Sequence, residues 1–131
     1  MKKKAIICVD DEPMVLSSLK EQLKNNFKDQ YLYETIDNAP DTLQLVDELT
    51  AEGVEIIIIV SDWLMPETKG DELLIKIHQK YPKVITVLLT GHADEKAIEN
   101  AKKNASLFAL INKPWDEEKL VETIQSALEK V

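Results

Sequence analysis

Ile56 to Val60 is an unbroken run of five apolar residues, and Ser61 and Asp62 follow it directly. Such a run, bounded by polar residues, reads as a strand buried on both faces, and strands of that kind occupy the middle of parallel sheets. Ligands of open parallel α/β sheets bind outside the carboxyl ends of the strands. Asp62 stands at such an end, followed by a loop with Met65, Pro66 and Gly70. A carboxylate at that address is expected to be a chemical group rather than a surface charge.

The flanking sequence supplies the rest of a sheet. Lys4 to Val9 predicts a first strand, closed by Asp10, Asp11 and Glu12. Pro13 then occupies a first helical position, where its missing N–H costs nothing, and Leu16, Leu19, Leu23 and Phe27 recur at helical spacing. Tyr31 to Ile36 is less apolar and predicts an edge strand. Asn38 and Pro40 open a second helix with Leu43, Val46 and Leu49 inward and Gly53 just past its end. After the central strand, a third helix is expected from Asp71 to Tyr81, with Leu74, Ile77 and Tyr81 inward and Pro82 as its stop. Val84 to Leu89 predicts a fourth strand ending at Thr90 and Gly91. Asp94 is the expected cap of a fourth helix whose apolar stripe, Ala97, Ile98 and Ala101, is thin. Leu107 to Ile111 predicts a fifth strand, and Leu120, Ile124, Ala127 and Leu128 form the stripe of a last helix. Five alternations of strand and helix imply a parallel sheet with helices on both faces, in one domain over residues 1–131.

Charge and cysteine usage narrow the function. A formal net charge of -8 leaves no broad basic patch, so direct nucleic-acid binding is not expected. The lone Cys8 lies in an apolar run and reads as a small buried hydrophobe. With no intrachain disulfide possible, the expected compartment is the reducing cytoplasm. No apolar stretch reaches the ~18 residues that span a bilayer, and no signal peptide is evident, so no membrane role is expected.

The chemistry lies in what closes each strand. Parallel strands bring their carboxyl ends to one edge, so Asp10, Asp11, Glu12, Asp62, Thr90 and Lys113 are expected to converge although far apart in sequence. Singly, each has an ordinary role: Asp10 and Asp11 as solvated partners of a helix dipole, Thr90 as a cap, Lys113 as a surface lysine. Together the carboxylates repel and need more counter-charge than one ammonium supplies. A hard divalent cation with oxygen ligands and retained waters fits, which favours Mg²⁺; no histidine or cysteine cluster points to zinc. Such a carboxylate, flanked by a lysine and a hydroxyl, suits receipt of a phosphoryl group, with Asp62 as nucleophile and Thr90 and Lys113 stabilising the transferred oxygens.

Four segments, each at a strand end and in order, carry a family likeness: VDDE at Val9 to Glu12, SDWLMPETKG at Ser61 to Gly70, LLTGHA at Leu88 to Ala93 and INKPW at Ile111 to Trp115. Over essentially its whole length the chain resembles the receiver domain of the two-component response regulators. The resemblance implies a flavodoxin-like sheet of order 2-1-3-4-5. It implies phosphorylation of Asp62 from the phosphohistidine of a sensor histidine kinase or phosphotransfer protein. Asp11, Asp62 and the Leu64 carbonyl would ligate Mg²⁺, Asp10 would act through water, and the Lys113–Pro114 peptide would be cis. A receiver of this kind is a signalling phosphoacceptor that catalyses only its own phosphorylation and slow dephosphorylation. It would switch the surface of the fourth helix, fifth strand and fifth helix toward an output domain or effector, and a phosphorylation-dependent dimer is left open. No output domain is expected within this chain.

Some positions depart from the family pattern. The switch position three residues before the lysine is often aromatic and is Leu110 here. Phe108 lies two residues earlier and is expected on the same face by strand alternation. Lys103 to Ser106 lacks the acidic pair of receivers that dimerise through the fourth and fifth helices. His92 could orient or exclude a hydrolytic water, beside its plainer reading as an exposed loop residue. Trp63 is expected to be partly exposed near the metal. Three other readings fit less well: an aspartyl phosphatase would carry a second Asp where Leu64 stands, a flavin domain needs glycine and hydroxyls where the loop after strand one is acidic, and a degenerate receiver that only binds partners would not retain Asp10, Asp11, Asp62, Thr90 and Lys113 together.

Overall fold

The computed structural model describes residues 3–91 and 95–131. Among them, β1 (Lys4–Val9), β2 (Leu32–Ile36), β3 (Glu55–Asp62), β4 (Ile85–Thr90) and β5 (Ala109–Asn112) form one sheet in the order β2-β1-β3-β4-β5. Every neighbouring pair is parallel. The helices between and after them are α1 (Pro13–Phe27), α2 (Ala39–Ala51), α3 (Gly70–Lys80), α4 (Glu95–Asn104) and α5 (Glu117–Leu128). This is the doubly covered flavodoxin-like arrangement, with the apolar β3 at its centre and the less apolar β2 at an edge.

Two cores lie on the two faces of the sheet. Leu19, Leu23 and Phe27 of α1 and Leu120, Ile124 and Ala127 of α5 pack on Ile6, Cys8, Ile58, Val60, Val87 and Leu89. On the other face Val46 of α2, Leu73, Leu74 and Ile77 of α3 and Ala97 of α4 pack on Ala5, Ile7, Val9, Ile59 and Leu88. Cys8 is buried, and burial pushes its thiol up to about 12, so it remains a protonated hydrophobe.

A bulge in β3 sets the phase of the site. Ala5 pairs with Ile56 but Ile6 pairs with Ile58, so Ile57 is an extra residue. Ile57 and Ile58 both join the α1/α5 core, after which alternation resumes at Ile59 and Val60. Asp62 thereby falls in phase with Val60, as Asp10 does with Cys8 and the residue position of Lys113 does with Ile111. Without the extra residue, alternation from Ile56 would turn Asp62 to the opposite face.

The helix ends follow their local chemistry. Asn38 Oδ1 accepts from the Asp41 N–H at 2.8 Å, and the buried Thr42 hydroxyl donates to the Asn38 carbonyl at 2.7 Å. Gly53, at φ 87°, takes the left-handed turn beyond α2. Helix α4 shows the thin stripe expected of it, with Ala97 and Ala101 buried and Ile98 half-buried. The expected cap Asp94 lies outside the described residues, as does His92.

Other expectations shift. Helix α3 starts at Gly70, one residue early, and Tyr81 is half-buried beyond its end. In α2 the fully buried side chains include Thr42, while Leu43 and Leu49 are half-buried. Strand β5 starts at Ala109 rather than Leu107, three residues after Ser106 turns the chain at φ 50°. Alternation therefore does not run through Phe108, and its side chain packs with the α1/α5 core while Leu110 packs with the other. The two residues do not share a face.

Lys28, closing α1, adopts φ 55° and ψ −143°, a region that favours glycine. Such a conformation costs on the order of 1 kcal/mol or more in a residue with a Cβ. Lys28→Gly is expected to raise unfolding stability by about 1 kcal/mol, read from urea denaturation. Lower stability would mean that the Lys28 side chain contributes more than its backbone strain costs.

Candidate functional site

The sheet's carboxyl edge gathers all the strand-end residues that the sequence singled out. Asp10 has no solvent exposure, Asp62 has 4% and Thr90 has 3%, while Asp11 is exposed. Carboxylate oxygens of Asp10, Asp11 and Asp62 all lie within 4.8 Å of one another. Lys113 Nζ donates to Asp10 Oδ2 at 2.8 Å and lies 3.1 Å from Asp62 Oδ1 and 3.7 Å from Glu12 Oε1. The other oxygen of Asp10 accepts the Glu12 N–H at 2.9 Å. Lys113 is held by its own N–H, which donates to the Thr90 carbonyl at 3.0 Å, and its peptide to Pro114 is cis. Asp11, Asp62, Leu64, Thr90 and Lys113 line an open cleft of about 740 Å³.

The electrostatics are those of an under-neutralised cluster. Burial, then the charges of Asp10 and Asp11, push the Asp62 carboxyl up to about 6 against the pull of Lys113. Asp10 is also raised, because its burial outweighs its bonds to Lys113 and the Glu12 N–H. Burial alone would lower Lys113, but its bonds to Asp10 and Asp62 win and raise it. One ammonium facing three carboxylates leaves an excess of negative charge, and the donor set is wholly hard oxygen.

The loop after β3 is pinched at its neck, where the Gly70 N–H donates to the Trp63 carbonyl at 2.8 Å. Leu64, at the cleft, is 58% exposed. Trp63 corrects the sequence reading. Its indole is buried at 8% exposure, because its N–H finds an acceptor in Asp71 Oδ1 at 3.0 Å, and Lys69 Nζ covers the ring at 5.0 Å. Asp71 itself is buried at 6%, and its second oxygen accepts from Asn100 Nδ2 of α4 at 3.1 Å. Sequence reasoning passed over both Asp71 and Asn100. A signal existed for the first: a tryptophan tucked beside a sheet-end carboxylate needs an acceptor, and Asp71 is the acidic residue that the turn at Gly70 brings back to it.

The receiver-domain family model for response regulators matches residues 6–125. The chain is similar to the hydrogenase transcriptional regulatory protein HoxA of Bradyrhizobium diazoefficiens, 27% identical over 124 residues that make up 95% of this chain and 24% of that protein. It thus spans about a quarter of that relative's length. Among solved structures it is similar to the signal receiver domain of an HD domain-containing protein from Pseudomonas fluorescens Pf-5. The TM-score there is 0.86 at 29% identity, over 98% of this chain and 89% of that one. A CheY-like receiver domain protein from Methanospirillum hungatei JF-1 gives 0.82 at 27% identity, over 99% and 97% of the two chains. A match that runs from β1 into α5, on a sheet whose carboxyl edge gathers these acidic side chains, identifies the family: the chain is a response regulator receiver domain.

Proposed function

We propose that Asp62 is the phosphoacceptor of this receiver, taking its phosphoryl group from the phosphohistidine of a sensor histidine kinase or phosphotransfer protein. The observation that carries this reading is Lys113 Nζ, 2.8 Å from Asp10 and 3.1 Å from Asp62 in a carboxylate cluster open to a cleft. In the reaction an Asp62 oxygen bonds to phosphorus as the donor's P–N bond breaks, and the imidazole leaves with that electron pair and takes a proton from solvent. Asp62 attacks as a carboxylate, so its raised value of about 6 leaves it competent at neutral pH. The Lys113 ammonium offsets charge on the transferred oxygens, and the Thr90 hydroxyl donates to one of them. The clustered carboxylates would fit Mg²⁺, with Asp11, Asp62 and the backbone carbonyl of Leu64 as ligands and Asp10 acting through water. When bound, the ion neutralises charge on the phosphoryl oxygens.

The output is a shift of α4, β5 and α5 that controls an effector or output domain, with α4 the element held by the thinnest apolar stripe. An aspartyl hydrolase acting on an external substrate is disfavoured, because the position two residues after Asp62 is the apolar, exposed Leu64 and cannot serve as a general acid. Incubation with acetyl phosphate and Mg²⁺, followed by intact mass, is expected to show a labile gain of one phosphoryl group that is absent in Asp62→Asn. A gain of the same size in Asp62→Asn would refute the assignment.

A further inference from the structure

Asp71 and Asn100 take no part in the chemistry above, yet they link its two ends. Trp63 adjoins Asp62 in the chain, and its indole N–H donates to Asp71 Oδ1 at 3.0 Å. Asp71 lies in the first turn of α3, where the helix dipole favours an anion. Its other oxygen accepts from Asn100 Nδ2 on α4 at 3.1 Å, and Asn100 Oδ1 in turn accepts from Asn104 Nδ2 at 2.7 Å. No cation lies within ion-pairing distance of Asp71 among the described residues, so two neutral donors hold this buried carboxylate. The cost of burying an anion without them makes both contacts demanding in geometry.

We propose that Trp63–Asp71–Asn100 is a relay that couples the state of Asp62 to the position of α4, with Asp71 and Asn100 as positioning residues. The proposal rests on Asp62 being the phosphoacceptor. A change at Asp62 that moves the adjoining Trp63 peptide moves the indole N–H. Asp71 must follow or lose its donor, and Asn100 carries the displacement into a helix whose buried side chains are only Ala97 and Ala101. The Lys69 ammonium over the indole, 5.0 Å from its centroid, limits how Trp63 can respond in isolation. Leu110 has no polar atom for such a link, whereas this relay has a hydrogen bond at every step.

The test is amide NMR on wild type, Asn100→Leu, Asp71→Leu and the conservative Asp71→Asn, with acetyl phosphate and Mg²⁺. In wild type, phosphorylation is expected to shift the α4 amides from Ala97 to Asn104 together with the Trp63 indole N–H. In Asn100→Leu and Asp71→Leu the α4 shifts are expected to fall at least threefold, with phosphoryl uptake by intact mass unchanged. Asp71→Asn can keep an oxygen for the indole but then turns an NH₂ toward Asn100 Nδ2. It breaks only the second link, so its α4 response is expected to fall as in Asn100→Leu while the indole keeps its acceptor. A merely structural role would alter melting temperature but leave the α4 response to phosphorylation intact, and that result overturns the relay. If wild type takes up no phosphoryl group, the phosphoacceptor reading fails on its own. The relay is then judged on the α4 shifts caused by Asp62→Asn, which must vanish in Asn100→Leu, and their persistence overturns it.

Discussion

Gly70→Ala is expected to destabilise the domain by about 3 kcal/mol or more and to cut phosphoryl uptake at Asp62 at least tenfold. A Cβ on Gly70 would stand 2.0 Å from the Asp62 carbonyl oxygen, 2.8 Å from the Asp62 carbonyl carbon and 2.9 Å from the Trp63 Cα. All three are backbone atoms, so no flexible side chain can swing aside. Relief requires the neck of the loop to open, which breaks the Gly70 N–H to Trp63 carbonyl bond and displaces the carbonyl end of Asp62. The stability loss and the loss of function therefore have one cause.

The other two glycines serve as controls. A Cβ on Gly91 would meet the Lys113 side chain no nearer than 3.8 Å, an ordinary contact, so Gly91→Ala should leave folding nearly unchanged. Gly53 has open space around it but φ 87°, so Gly53→Ala should cost only the conformational strain, about 1 kcal/mol. Thermal unfolding separates the three: a fall in Tm on the order of 10 °C for Gly70→Ala, and a few degrees or less for the others. A Gly70→Ala protein that melts within two degrees or so of wild type would show that the neck can widen freely, contrary to this account.

The sequence exposed the strand-end residues because burial and charge change abruptly there. Val9 to Asp10 and Val60 to Asp62 pass from wholly apolar to acidic within two residues, and parallel topology then dictates that those ends meet. The bulge was not legible, since a run of Ile and Val shows no alternation and its reset at Ile57 leaves no mark in residue type. The start of β5 was misread for a related reason: an apolar run from Leu107 to Ile111 conceals that Ser106 holds φ 50° and that Phe108 packs out of phase. Trp63 and Asp71 escaped because their pairing depends on how tightly Gly70 folds the loop back. That is a matter of backbone contact rather than of pattern.

Removing the Lys113 charge should deepen the stabilising effect of acid on this protein and carry it to higher pH. In Lys113→Met the side chain keeps its apolar stem, but Asp10 and Asp62 lose the ammonium at 2.8 and 3.1 Å. Stripping one partner from a buried ion pair typically costs about 3 kcal/mol, because a desolvated charge is left behind. Even in wild type, burial holds Asp62 at about 6, above its ordinary range, so the folded state binds more protons than the unfolded chain between about pH 4 and 6. Stability then falls as pH rises through that window, and the penalty is complete above the folded value. Discounted for solvent at the open cleft, it amounts to about 1–2 kcal/mol in wild type without divalent cation. Among the described residues, the charged groups that face Asp62 in Lys113→Met are Asp10 and Asp11, with Glu12 beyond, and none of these is positive. The window therefore moves upward, and the deficit relative to wild type should be largest near pH 8 and shrink on acidification toward pH 5. Saturating Mg²⁺ supplies the missing positive charge and should restore much of the loss, with tighter Mg²⁺ binding than in wild type because Lys113 no longer competes for the same oxygens. Urea titrations across pH, with and without Mg²⁺, measure each of these quantities. A Lys113→Met protein that loses further stability on going from pH 8 to pH 6 would show that Lys113 is not what holds these carboxylates together.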